Sequence, residues 1–348
     1  MILPILLLML LMILLSFIVE GLEPYRRHIA IGTALVLCLL SATRPAGVDP
    51  DFPIYQGYLA TLDSPFTQVL VEPSFRAIGS LALTLGFGIR MVVVIYALIA
   101  IPVKVCMYYK MGGYPAFFLI IALYLGNFYQ LHDCTQIRAG AAVAMAMVSL
   151  WYRGEGRWGM HVLFLLLGIL FHYSAAVFLI VLVLSNRDMN RLERILWSLC
   201  IPLSLSLYIM QFNPISLIPI PFIEKKMAVY EAAMDKGEHT EIHVFNGLFV
   251  LRMLLFAYVL VFYNTIRPHL KLLSLFTKMQ GIGIVTWLAL CKMPVLSFRV
   301  SELFYQAELF LIAGIVYTIR PSWVGKICAA SFAIIFYYLN RVNFLLHF

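Results

Sequence analysis

Four short clusters hold most of the residues that could do chemistry. The first is GVDPDFPIYQGYL, from Gly47 to Leu59, followed by VEPSF from Val71. Asp49, Asp51 and Glu72 stand there beside prolines and aromatic rings, and carboxylates so placed can take a proton from an incoming hydroxyl or ligate a divalent cation. The plainer alternative is a solvated loop with proline-flanked acids. The second cluster is LHDCTQIRAG, from Leu131 to Gly140, in which Arg138 opens an apolar stretch. A guanidinium at the depth of lipid headgroups can grip a pyrophosphate through paired hydrogen bonds, or merely snorkel to the headgroups. His132 and Asp133 read as loop polarity. In the third cluster, FHYSA, His172 could exchange protons near neutral pH or simply bond a helix end. In the fourth, LSFRVSELFY from Leu296 to Tyr305, Arg299 and Glu302 share one face of a helix, as an ion pair or as ligands.

The elements that must position these clusters are membrane helices. Of the 348 residues, 63% are hydrophobic and 12% charged, about half the charged fraction of an ordinary soluble domain. Apolar runs recur along the whole chain, so residues 1–348 form a single integral membrane domain, and irregular backbone cannot face lipid, so the runs are helices of an all-α, polytopic fold. Twelve spans are expected, near 2–19, 29–42, 91–109, 114–128, 139–152, 158–172, 174–186, 195–210, 244–263, 272–290, 301–318 and 323–340. The net charge of +8 lies largely in short connections, which excludes nucleic acid as the partner and fits the positive-inside rule. Arg26/Arg27, Lys104/Lys110, Arg153/Arg157, Arg187/Arg191/Arg194, Arg267/Lys271 and Arg320/Lys326 mark every second connection as cytoplasmic, and all four clusters fall on the outer side.

That alternation closes only if the stretch from Ser74 to Gly88 does not cross. It is expected to lie in the outer interface, with Phe75, Ile78, Leu81 and Leu85 opposed to Arg76, Ser80 and Thr84. Two outer loops are long, 43–90 and 211–243, and long loops are often functional. The six cysteines are scattered singly with no CxxC pair, which points to neither a metal site nor a disulfide framework. No cofactor is expected.

In order and spacing the motifs resemble the EpsG family of bacterial membrane proteins, grouped with Wzy-type polymerases of O antigen, capsule and exopolysaccharide. The resemblance is carried by Gly47, Asp49, Phe52 and Tyr55, by VEPSF, by the IR heading TQIRAGAAVAMAM, by FHYSA, and by SFR near the C-terminus. Ala139 follows Arg138, where the family pattern tends to have glutamine. The resemblance implies a multi-pass glycosyltransferase of the bacterial inner membrane with a layout similar to the type C glycosyltransferase fold. It would act on undecaprenyl-pyrophosphate-linked oligosaccharides at the extracytoplasmic face, moving a growing glycan onto the next repeat unit. Asp49, Asp51, Glu72 or His172 would then take the acceptor proton, Arg138 and Arg299 would hold the pyrophosphate, and Tyr55 and Glu302 would meet the glycan. Membrane lipids and a chain-length regulator are the further partners it suggests. Some type C relatives use a divalent metal, but the chain shows no dedicated ligand set. Two rivals are a transporter or flippase of lipid-linked glycans, which needs ionisable residues at mid-membrane depth, and a membrane acyltransferase, which needs a histidine reachable from the cytoplasm.

Overall fold

The computed structural model of the chain describes residues 2–45, 47, 49–210 and 243–346, and among them the regular backbone is helical throughout. Each of the twelve apolar segments overlaps helical backbone. Among the described residues, three helices are long and apolar enough to cross a bilayer alone, and counting each sharply bent pair of helices as one span raises the number to seven. Residues 211–242, nearly all of the second long outer loop, lie outside the described residues.

In chain order the helices are α1 (Ile2–Phe17), α2 (Arg26–Ala42), α3 (Phe52–Ala60), α4 (Pro65–Leu70), α5 (Pro73–Thr84), α6 (Ile89–Gly112), α7 (Tyr114–Asn127), α8 (Ile137–Gly154) and α9 (Trp158–Phe171). They continue with α10 (Arg191–Ser198), α11 (Cys200–Ile209), α12 (Gly247–Val261), α13 (Leu273–Ala289), α14 (Pro294–Tyr305), α15 (Glu308–Gly314) and α16 (Ser322–Leu346). The chain divides into two compact units. The first comprises Met1–Val183, Pro268–Leu272 and Ile312–Phe348; the second comprises Leu184–Arg267 and Leu273–Leu311.

In the first unit α6 sets the scale. Its 24 residues extend about 36 Å at 1.5 Å per residue, more than the roughly 30 Å of bilayer hydrocarbon. Gly113, at φ +74° and ψ 161°, ends it in positive-φ extended backbone that glycine alone adopts readily, and Pro115 sits in the first turn of α7. The segment expected to be the first outer loop folds as α3, α4 and α5, each with a proline in its first turn: Pro53, Pro65 and Pro73. Proline lacks the N–H that a helix start leaves unpaired, so these prolines begin helices instead of breaking them. Ser64 caps α4 by accepting the Thr67 N–H at 3.1 Å.

With 12 residues, α5 reaches about 18 Å and is too short to cross. Its buried face differs from the expected stripe. Phe75, Gly79 and Ala82 turn inward, while Leu81 and Leu85 are exposed. Small residues let α5 lie close to α3: a Cβ on Gly79 would stand 3.1 Å from Leu59 Cδ1. The apolar groups left outside, with Phe87, suit a helix resting in the bilayer interface.

Between α7 and α8 the chain does not form the expected loop. Tyr129–Thr135 is a π-helical turn whose His132, Asp133 and Cys134 are buried. Asp133 is held by Lys104 of α6, so Lys104 is an interior residue and Lys110 alone marks that connection as basic.

In the second unit α12, α13, α14 and the start of α15 carry the polar interior. The stacked rings of Phe276 and Phe310, 4.4 Å apart, join α13 to α15.

Candidate functional site

Three segments of the first unit converge on Glu72. Pro73 in the first turn starts α5 immediately after it, leaving Glu72 in extended backbone as the N-cap residue. Its side chain does not bond its own helix. One carboxylate oxygen, Oε2, accepts from Arg138 Nη1. The other, Oε1, meets His172 Nδ1 at 2.8 Å and accepts the Tyr173 backbone N–H at 3.3 Å. Arg138 lies 66 residues further along the chain and His172 lies 100.

Arg138 is the second residue of α8 and His172 ends α9 in extended backbone. The α8–α9 hairpin therefore delivers both groups to the one carboxylate. Burial by itself would raise the Glu72 carboxyl. The hydrogen bond from His172 and the charges of Arg138 and His172 outweigh it and hold the group down at about 2. Glu72 is ionised at neutral pH, so Nδ1 of His172 carries the shared proton and donates to the carboxylate.

The guanidinium of Arg138 sits among aromatic rings, 5.5 Å from the centroids of Tyr55 and Tyr58 and 5.8 Å from that of Phe75. A planar cation suits such a cage through cation–π attraction. The Tyr55 hydroxyl donates to the Thr135 carbonyl at 3.2 Å, so this residue, expected to meet glycan, is a buried wall of the cage. Arg138 Nε is buried and makes no hydrogen bond to the described residues. Arg138 and His172 keep a small exposure, 14% and 15% of their side chains, whereas Glu72 keeps 3%.

Asp49 is not in this cluster. Arg44 Nε and Nη2 both donate to its Oδ2, at 3.0 and 2.6 Å, and its Oδ1 accepts the Asp51 backbone N–H at 3.0 Å. Burial raises the Asp49 carboxyl above the ordinary range, against the pull of Arg44. The pair pins the start of the first outer loop, where Arg90 donates to the Arg44 carbonyl at 2.5 Å. Asp51 is half-buried at the N-cap of α3.

Arg299 and Glu302 belong to the second unit, on α14. Arg299 is half-buried and Glu302 is buried, within electrostatic reach of Arg252, Glu308 and Arg299. Arg252 grips Glu308 with two bonds, of 2.9 and 3.1 Å, and covers the Tyr305 ring at 3.9 Å. This pair and Lys104–Asp133 escaped notice in the sequence, although each partner except Asp133 is an ionisable residue inside an apolar run, which is a signal in itself. Among the described residues, no three His, Cys, Asp or Glu side chains come together as metal ligands would.

The motifs and the apolar helices that carry them agree with one family. The EpsG family profile matches residues 27–347, nearly the whole chain. The chain belongs to the EpsG family. No curated protein and no solved structure matches it. The family is associated with polysaccharide-polymerase-like proteins, and the chain is an integral membrane protein related to polysaccharide biosynthesis. Within this EpsG-family chain, VEPSF, IR and FHYSA are the motifs that meet at Glu72.

Proposed function

We propose that this EpsG-family protein is a glycosyltransferase that polymerises undecaprenyl-pyrophosphate-linked repeat units at the extracytoplasmic face of the bacterial inner membrane. The observation that carries the reading is the bridging of Glu72 between Arg138 and His172. It supplies a base, a group that orients the base, and a cation beside both.

In the mechanism, Glu72 holds Nδ1–H of His172, as a carboxylate orients a catalytic imidazole. His172 Nε2 takes the proton of an acceptor hydroxyl as that oxygen attacks the anomeric carbon of the donor. The bond from that carbon to the phosphate oxygen breaks, and the lipid pyrophosphate leaves with the bonding electrons. Arg138, with Nη1 on Glu72 and Nε unbonded, offers its remaining donors to the developing charge. A single displacement inverts the anomeric centre. Asp49 and Arg44 hold the loop that brings α3 and α5 to the site. Arg299 and Glu302 are assigned to pyrophosphate and glycan in the second unit, and the overall layout to the type C glycosyltransferase fold, with twelve spans and the basic connections inside. A chain-length regulator remains a proposed partner, and no metal is assigned.

The transporter reading draws on Lys104–Asp133 and Arg252–Glu308, which are ionisable groups inside apolar helices. The partners in each pair are bonded to each other and two of the four, Lys104 and Glu308, are fully buried, which favours fixed structure over a moving ion path.

The test is polymer yield per inserted protein in cells carrying Glu72→Gln, His172→Ala or Asp63→Asn. The first two should lose about 10²- to 10⁴-fold, the usual share of a general base, and Asp63, exposed and outside the cluster, should matter little. Full polymer yield with both Glu72→Gln and His172→Ala would remove the assignment.

A further inference from the structure

The turn that presents Arg138 is tied down at its centre by a buried ion pair. Asp133 Oδ2 accepts from Lys104 Nζ at 2.6 Å and from the Tyr124 hydroxyl, and neither Lys104 nor Asp133 is exposed by more than 2%. The backbone of the same turn is held as well. The Asp133 carbonyl accepts from Ser41 Oγ at 2.5 Å, the Thr135 carbonyl from the Tyr55 hydroxyl at 3.2 Å, and the Leu131 carbonyl from the Gln136 N–H at 2.7 Å. Side chains from α2, α3, α6 and α7 thus converge on one short π-helical segment. Immediately beyond it, α8 starts so close that a Cβ on Gly140 would stand 2.1 Å from the His132 carbonyl oxygen. The first turn of α8, which carries Arg138, has no room to shift against that segment.

A buried ion pair adds little net stability compared with apolar side chains of the same size, because desolvation cancels most of its attraction. It does fix a geometry, since either charge alone would be costly. π-helical insertions are themselves uncommon and tend to sit at functional sites. We propose that Lys104 and Asp133, with Tyr124, are positioning residues: they hold the π-helical turn in the register that places the Arg138 guanidinium against Glu72 and inside the cage of Tyr55, Tyr58 and Phe75. The effect on polymerisation rests on the glycosyltransferase reading above, but the positioning itself does not.

The experiment therefore reads Arg138 directly. Full-length protein in lipid nanodiscs is treated with phenylglyoxal, and arginine modification is followed by peptide mass spectrometry, with exposed Arg76 as internal reference. Asp133→Leu alone strands a buried ammonium and can prevent folding, so the informative variants are the double Lys104→Met/Asp133→Leu, which removes both charges, and Tyr124→Phe, which keeps both. In the double variant Arg138 should react about ten-fold faster relative to Arg76, through local opening of the turn, and Tyr124→Phe should show a smaller rise in the same direction. The donor side should show the loss as a raised KM, restored on returning both native residues. Wild-type protection of Arg138 in both variants would overturn the proposal whatever their polymer yield. Faster modification with unchanged polymer would uphold the positioning and count against Arg138 as the pyrophosphate ligand.

Discussion

At Glu72 a single carboxylate joins an arginine and a histidine, and its acidity follows from that position. The folded chain holds its proton less readily than the unfolded chain, whose ordinary value is 4.5, because the folded value is pulled down to about 2. Its stabilising contribution is whole above pH 4.5 and is lost as pH falls through about 2. Glu72→Gln should therefore lower the melting temperature of the purified protein, and the part of that gap owed to the Glu72 charge should close as pH falls below about 4.5. A gap that went on widening below about pH 4.5 would contradict the account. Because Glu72 stays ionised, it cannot supply the acid limb of an activity profile, and in the proposed mechanism that limb is assigned to His172. Losing the carboxylate favours the neutral ring, so whatever activity Glu72→Gln retains should persist to lower pH than in the wild type. Asp49 makes a different prediction. Its loss leaves Arg44 buried and unpaired, at a cost of about 3–5 kcal/mol, so Asp49→Asn should reduce the amount of inserted protein, and Arg44→Met/Asp49→Leu should recover it. Membrane abundance by immunoblot decides. Asp49, Glu72, Arg138 and His172 could each be named from the sequence, but contacts spanning 66 and 100 residues could not be read from spacing, and neither could the Arg44 partner that ties up Asp49.

At the scale of elements, the prolines of the first outer loop were legible as turn signals, and the structure uses them as helix starts. That α5 is a helix too short to cross is in keeping with the charge alternation. Its inward face was not legible, because Gly79 and Ala82 pack by being small, which a search for large apolar residues overlooks. The π-helical turn was hidden for a related reason: LHDCTQ is polar enough to read as a loop until Lys104 and Tyr124 are seen to neutralise Asp133. The start of α8 yields the sharpest prediction on an element. A flat, forked guanidinium fills an aromatic cage and bonds Glu72 at the same time, and an ammonium cannot do both. Arg138→Lys should lose most polymer, on the order of 1.5–3 kcal/mol for one charge-assisted contact, with normal insertion, whereas a headgroup anchor would accept lysine without loss.

For the whole molecule, membrane character and helical class follow from composition alone, and membership of the EpsG family from the order of the motifs. The orientation expected from the basic connections has its own test. In a cysteine-free background, Gln68→Cys in the first outer loop should react with an impermeant maleimide from outside intact cells, and Gly159→Cys, on the α8–α9 connection side, should react only after the inner face is opened. Both positions are exposed. The reverse pattern would place Glu72, Arg138 and His172 on the cytoplasmic face. The central claim is that these three residues form the transfer site of a polymerase, and the most direct measurement uses purified protein in nanodiscs with lipid-pyrophosphate-linked repeat units and no nucleotide sugar. The wild-type protein should convert single units into a ladder of longer lipid-linked glycans, and His172→Ala, equally folded, should leave them as single units. A ladder of equal length and yield from both proteins, or none from folded wild-type protein supplied with its own cell's repeat unit, would contradict the account.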